Sequence, residues 1–311
     1  MTSLEPNEIK RYFEQQAAAW LESSYRTDGE TFPVGWHRAR IISEALSAEG
    51  RKLKVLDLGC GGGRLSIFLA ELGHNVVGVD QSETMLDIAA RDLAGTAPET
   101  QARVRFVNGP VDSFDIQEGP FDAVLAMGLI GYLPNDKMIF DIAKRHLVDR
   151  GRFFVSCRNR LFNMSSLTWR TLREIKQGHA PALLHEIDAL YATPISDDVP
   201  GALVTQIANN LEQVKAVISS ATMPEVHGDM TEGQQAEARQ HVPSDIERVA
   251  KSTAFDIEKF YAVHPHMLDP RLERLLPAVL ANKLSEAMTG FEAQPAALPT
   301  ASVFIASLRR K

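Results

Sequence analysis

The sequence predicts an α/β protein built around a mostly parallel sheet, and three observations carry that expectation. Residues 55–58, apolar but for the acidic Asp57, run into glycines at alternate positions, Gly59, Gly61 and Gly63, which reads as a buried strand entering a tight turn and then a helix. Strand-length apolar runs then alternate with helix-length amphipathic stretches up to residue 158, the pattern of right-handed βαβ units. Hydrophobic residues make up 44% of the 311, enough for a sizeable core, yet no run approaches a membrane span.

Taken in order, residues 8–21 repeat apolar side chains at three- and four-residue steps (Ile9, Tyr12, Phe13, Ala17, Trp20) and predict a helix. A Gly- and Pro-containing loop at 27–35 precedes a second helix at 39–46. Strands follow at 54–58, 75–79, 103–107, 121–126 and 151–156, separated by helices at 64–72, 82–93 (with Ser82 as N-cap) and 135–147. The alternation stops after Arg158. Leu183, Ile187, Leu190 and Tyr191 mark one amphipathic helix, Leu203, Ile207, Leu211, Val214 and Ile218 another, and 223–243 is polar. The α/β pattern resumes with a helix at 244–252 capped by Ser244, a strand at 255–263, a helix at 270–288 and a last strand at 301–308.

The spacing of the glycine loop bears on its ligand. A helix starting at Arg64 presents free N–H groups to the turn, and Asp80 stands at the tip of the neighbouring strand, where an acid can accept from both hydroxyls of a ribose. A dinucleotide fingerprint, G-x-G-x-x-G, would need glycine where Arg64 stands. The order present, D-x-G-x-G-x-G with Asp80 following, resembles motifs I and II of the class I S-adenosylmethionine (SAM) methyltransferases, in the branch of ubiquinone-methylase-like enzymes for small molecules. Beside that resemblance, which implies a Rossmann-like sheet of seven mostly parallel strands with the last antiparallel, the interrupted alternation after Arg158 reads as a helical insertion between strands 5 and 6. Together these divide the chain into an N-terminal helical lid (1–50), a SAM-binding core (51–158 and 244–311) and a substrate-covering insertion (159–243).

The resemblance also assigns residues to the cofactor. The loop Asp57, Gly59, Cys60, Gly61 and Gly63 would take the methionine part, Asp80 the ribose, and Gln81 would flank the adenine. The family pattern F-V-x-G-D-A places an acid on the adenine amino group, but this chain reads F-V-N-G-P-V-D, with Pro110 at that position. Asp112 then either replaces the acid, with the Val111 N–H serving the ring, or caps a turn. In M-G-L-I-G-Y-L, Met127 and Gly128 match cofactor contacts. Gly131 stands where many relatives carry histidine, so Tyr132 either replaces that base and meets the acceptor or simply packs.

Candidates for acceptor chemistry are His264 and His266, whose H-x-H spacing on an extended segment puts both rings on one face, and His37 in F-P-V-G-W-H. Each is either a base within reach of the acceptor or a histidine with local hydrogen bonds; no acidic or cysteine partner nearby argues for a metal site. Tyr25 and Trp36 would belong to an aromatic lid or to ordinary helix packing, and Arg158 and Asn163, in R-N-R-L-F-N after strand 5, would clamp an acceptor carboxylate or phosphate or face water. A net charge of −7 argues against a nucleic-acid surface, and the polar first ten residues against a signal or membrane anchor. Cys60 and Cys157 read as reduced core residues, which suits a cytoplasmic monomer or homodimer. The expected reaction is in-line SN2 transfer of methyl to an oxygen or nitrogen of a small-molecule acceptor, releasing S-adenosylhomocysteine. A SAM-binding protein without transferase activity and a Rossmann oxidoreductase stand as alternatives.

Overall fold

Lys54–Leu58 forms strand β1, buried along its apolar residues, and every later strand is placed by its pairing to this centre or outward from it. The structure is a computed structural model that describes residues 6–27, 31–114, 116, 119–194 and 238–311. β2 (Asn75–Asp80) and β4 (Phe121–Met127) flank β1 in parallel; β3 (Val104–Asn108) lies outside β2, and β5 (Leu147–Asn159) outside β4. β8 (Ala301–Arg310) pairs antiparallel with both β5 and β7 (Phe255–Pro265), giving the order β3-β2-β1-β4-β5-β8-β7. The predicted seven-stranded sheet with an antiparallel last strand is present. An eighth strand, β6 (Gln240–His241), adds a two-residue parallel pairing to the end of β5; so short a segment has no alternation to read.

The sheet is covered on both faces, so its central strands are apolar on both sides. Adjacent residues serve opposite layers. Phe153 joins Phe140 and Phe255 on one side, with ring centroids 5.2 and 5.5 Å from theirs, while Phe154 packs with Ile42, Leu46 and Ile305 on the other. Helices α1 (Pro6–Tyr25), α2 (Val34–Ser47), α3 (Arg64–Glu71), α4 (Glu83–Ala94), the short α5 (Pro98–Gln101) and α6 (Asp136–His146) complete this part. Ser82 caps α4 as expected, accepting from the Met85 N–H at 3.3 Å, and Asn135 caps α6 through Met138 at 3.0 Å.

Three helices follow β5: α7 (Phe162–Ser165), α8 (Trp169–Lys176) and α9 (Ala180–Tyr191), the last matching the expected amphipathic helix. The second expected helix, marked by Leu203 to Ile218, and most of the polar stretch lie outside the described residues. Two boundaries differ from expectation. The helix after β6 begins at Pro243, which needs no N–H partner in a first turn, so Ser244 sits inside the helix and its hydroxyl donates to Glu186 at 2.9 Å. The helix expected at 270–288 is two, Pro270–Glu273 and Ala278–Met288, because Pro277 supplies no N–H and disfavours helix at the residue before it. Among the described residues, no helix is long and apolar enough to cross a membrane.

Candidate functional site

The C-terminal ends of β1, β2, β4 and β5 open onto one cavity of about 470 Å³, where a parallel α/β sheet places its ligands. The loop after β1 forms one wall. Gly59, Gly61 and Gly63 all take left-handed backbone conformations, with φ of +69°, +53° and +69°. At Gly61 an added Cβ would meet only Met85 Sδ, at 3.8 Å, so its open side faces the cavity. Gly63 turns the other way: a Cβ there would stand 2.4 Å from Phe106 Cζ and 2.8 Å from Ala89 Cβ. It is needed for close packing of loop on helix, not for contact with a ligand.

Asp80 ties the loop to the end of β2. One carboxylate oxygen accepts from the Gly61 N–H at 2.8 Å, the other from the Ser82 N–H at 2.9 Å, and the side chain lines the cavity. Burial raises its pKa against these hydrogen bonds. Asp57 lies behind the loop, 2% exposed, and accepts from Ser66 Oγ at 2.7 Å. Burial pushes its pKa up to about 6, opposed by the Ser66 bond and helped by the charge of Asp80.

Of the residues the sequence singled out, Gly59, Gly61, Asp80, Gln81, Val111, Asp112, Met127, Gly128, Tyr132 and Arg158 line this one cavity. Pro110 lines it beside Val111 and Asp112, and the Asp112 carboxylate also accepts from Ser113 Oγ at 3.1 Å. Asp57, Cys60 and Gly63 shape the loop from behind. The Cys60 thiol points toward Gly78, and burial holds its pKa far above the ordinary thiol value.

Other expected positions are elsewhere. Tyr25 and Trp36 pack edge-to-face at 5.3 Å, with the Trp36 Nε1–H donating to the Tyr25 carbonyl at 3.0 Å. They bind α1 to α2, and the residues of these helices and their junction that reach the cavity are Phe13, Ser24, Val34 and Arg38. Asn163 is 1% exposed and donates to Glu174 and Gln240, both at 2.8 Å, joining α7, α8 and β6 instead of facing an acceptor.

The three histidines form a separate cluster, and none lines the cavity. His264 and His266 do share a face, their ring centroids 4.2 Å apart. That face is filled: His264 stacks on Phe32 at 4.2 Å and His266 on Phe162 at 4.7 Å. His37 accepts the His264 backbone N–H on Nδ1 at 3.3 Å, and its Nε2 faces the Glu292 carboxylate at 2.6 Å, which makes Nε2 the nitrogen that donates. Burial, followed by the neighbouring His266 and His37, drives the His264 pKa well below the usual range. A side-chain hydrogen bond links this cluster to the cavity, between His264 Nδ1 and the wall residue Ser302 at 3.4 Å.

Sequence reading missed Arg38, whose half-buried guanidinium lines the cavity beside Gly128 with a buried Nε that has no partner. Burial lowers its pKa, Tyr25 opposes that shift, and Arg158 adds to it. Its helical repeat offered no signal, since an arginine one residue past a candidate histidine reads as surface.

Residues 55–151 match the model of a methyltransferase domain. The chain is 34% identical over 119 residues to a ubiquinone biosynthesis O-methyltransferase of Dechloromonas aromatica, covering 38% of this chain and 49% of that one. It is 30% identical over 164 residues to that of Shewanella pealeana, covering 51% and 64%. The chain thus spans less than two thirds of the length of these curated relatives. In fold it is similar to magnesium protoporphyrin IX methyltransferase of Synechocystis with bound S-adenosylhomocysteine (TM-score 0.55, 15% identity, 99% and 100% coverage). It is similar as well to the CcbJ methyltransferase of Streptomyces caelestis (TM-score 0.54, 14% identity, 96% and 97% coverage).

Proposed function

We propose that this chain, which carries a methyltransferase domain on the class I SAM-dependent methyltransferase fold, transfers a methyl group from SAM to an oxygen or nitrogen of a small molecule. The observation that carries the reading is the joint made by Gly61 and Asp80: an open glycine turn, hydrogen-bonded to a carboxylate that faces the same cavity.

The residues present fit the cofactor. Each Asp80 oxygen accepts one backbone N–H and keeps a lone pair for a ribose hydroxyl. Gln81, Val111 and Asp112 would border the adenine, and Met127 and Gly128 would lie under the methionine part. Arg38, with a partnerless Nε and its Nη1 beside Gly128, would meet the methionine carboxylate. The Asp57 carboxylate lies behind the cavity wall and would favour the amino group through its field, or through water, without direct contact. When bound, SAM supplies an activated methyl on a sulfonium, a leaving group that asks for positioning more than for covalent help. Positioning is what the walls offer: α1, α2 and their junction close one side as a lid through Phe13, Ser24, Val34 and Arg38, and Ala238 and Arg239, on the approach to β6, close the side next to Arg158. The histidine cluster would serve as a base only through Ser302 and His264, since no histidine is in the wall.

The test is isothermal titration with S-adenosylhomocysteine and, separately, with NADH. Micromolar binding of the first is expected, weakened roughly 10- to 100-fold in Asp80→Asn through lost charge-assisted hydrogen bonds. Binding of NADH with none of S-adenosylhomocysteine would replace this reading with an oxidoreductase.

A further inference from the structure

The cavity is charged unequally along its length. Two carboxylates, Asp80 and Asp112, stand at the β2–β3 end; three guanidiniums, Arg38, Arg158 and Arg239, stand at the β5 end. Two of these cations have an occupation. Arg239 donates to the carbonyls of Ile130 and Leu133 at 3.0 and 2.9 Å and faces Asp136 at 2.8 Å. Arg38 is the one set against the methionine part in the reading above, on which this inference rests. Arg158 is left. Its side chain is exposed at the cavity wall, its guanidinium lies close enough to Tyr132 to favour the ionised phenol, and no carboxylate among the described residues pairs with it.

The backbone at Arg158 is fixed from both sides, pairing with Val303 of β8 and Gln240 of β6. Tyr132 is held in turn by Phe13, edge-to-face at 5.3 Å. A cation on a rigid strand end, beside a second guanidinium that repels it, is relieved by an anion from outside the chain. We propose that Arg158 and Tyr132 form the subsite that takes a carboxylate group of the methyl acceptor, and so set the substrate class as small carboxylic acids. One guanidinium presents two parallel N–H groups, which match the two oxygens of a carboxylate, and the Tyr132 hydroxyl adds a third donor. A phosphate dianion calls for more positive charge than one guanidinium brings, because Arg239 is tied to Asp136.

The experiment titrates benzoate, its neutral isostere benzamide, and phenyl phosphate into the full chain saturated with S-adenosylhomocysteine, which keeps Arg38 occupied. Benzoate is expected to bind and benzamide not. Arg158→Gln should weaken benzoate on the order of 10- to 100-fold, Tyr132→Phe by less, and both should keep the affinity for S-adenosylhomocysteine. Equal binding of benzamide, an unchanged benzoate affinity in Arg158→Gln, or no benzoate binding at all overturns the subsite while leaving the cofactor reading intact. Phenyl phosphate binding tighter than benzoate overturns the carboxylate assignment. Failure to bind S-adenosylhomocysteine removes the cofactor reading and this inference with it.

Discussion

Replacing Asp57 with asparagine should make the ligand-free protein more stable above pH 6 and a poorer binder of its cofactor. Asp57 is 2% exposed, its carboxylate held by Ser66 Oγ at 2.7 Å, and burial lifts its pKa from the ordinary 3.8 to about 6. Because the folded-state value is the higher one, the folded protein binds more protons than the unfolded chain between those limits. The group's favourable contribution is complete below 3.8 and is lost as pH rises through about 6. At about 1.36 kcal/mol per pH unit, the ionised carboxylate costs the folded state about 3 kcal/mol at pH 8. Asparagine keeps a carbonyl oxygen for Ser66 but gives up a charge-assisted hydrogen bond, a loss of about 1 kcal/mol, so a net gain of about 2 kcal/mol remains. Urea denaturation of both proteins from pH 4 to 8, without ligand, measures this as a difference curve. Subtraction cancels Asp122, Asp136, Glu174 and Glu258, whose lowered pKa values tilt both parent curves the opposite way. The gain should be absent near pH 4, rise through pH 6 and then level off. A flat difference, or a less stable variant at pH 8, would refute the argument that Asp57 is a strained buried charge. The same charge is proposed to favour the cofactor's amino group, so wild-type affinity for S-adenosylhomocysteine should rise through pH 6 and that rise should vanish in the variant.

Arg38→Met should weaken S-adenosylhomocysteine about 10- to 100-fold while sparing methylthioadenosine, which lacks the amino-acid end. Calorimetry that finds both ligands weakened alike would remove Arg38 from the methionine carboxylate. Gly63→Ala forces a left-handed alanine into Phe106 and Ala89, with contacts of 2.4 and 2.8 Å, and should destabilise the fold by about 2–4 kcal/mol. A thermal or urea transition left in place by that variant would mean that the loop packs otherwise.

The parts of this molecule differ in how far a linear reading reaches, and the reason is the distance in sequence between a side chain and what fixes its role. Asp57, Gly59, Gly61, Gly63 and Asp80 lie within one βαβ unit, where strand, turn, helix and strand follow each other and local chemistry decides the geometry; Asp80 stands at the strand tip beside the glycine turn, as its spacing implies, and the hydrogen bond to Gly61 is what the structure adds. The histidines fail for the opposite reason. Residue type made His37, His264 and His266 look catalytic, but their roles are set by Phe32, Phe162 and Glu292, and no pattern in the chain brings Glu292 to His37 across 255 positions. A neutral imidazole stacked between rings and a base facing a substrate are the same letter in a sequence. Arginine behaves likewise. Arg38, Arg158 and Arg239 come from α2, from β5 and from the approach to β6; Arg38 and Arg239 alone give no signal, and Arg158 alone reads equally as a clamp for an acceptor anion or as a cation facing water. Only the strand order β4-β5-β8, with β6 against β5, sets them around one cavity, and only then does it matter that Arg239 pairs with Asp136 while Arg158 has no carboxylate partner among the described residues. The proposed cofactor contacts are therefore local in sequence and legible, whereas the acceptor subsite proposed at Arg158 rests on leftover charge, a property that emerges only once the other ionic partners among the described residues have been placed.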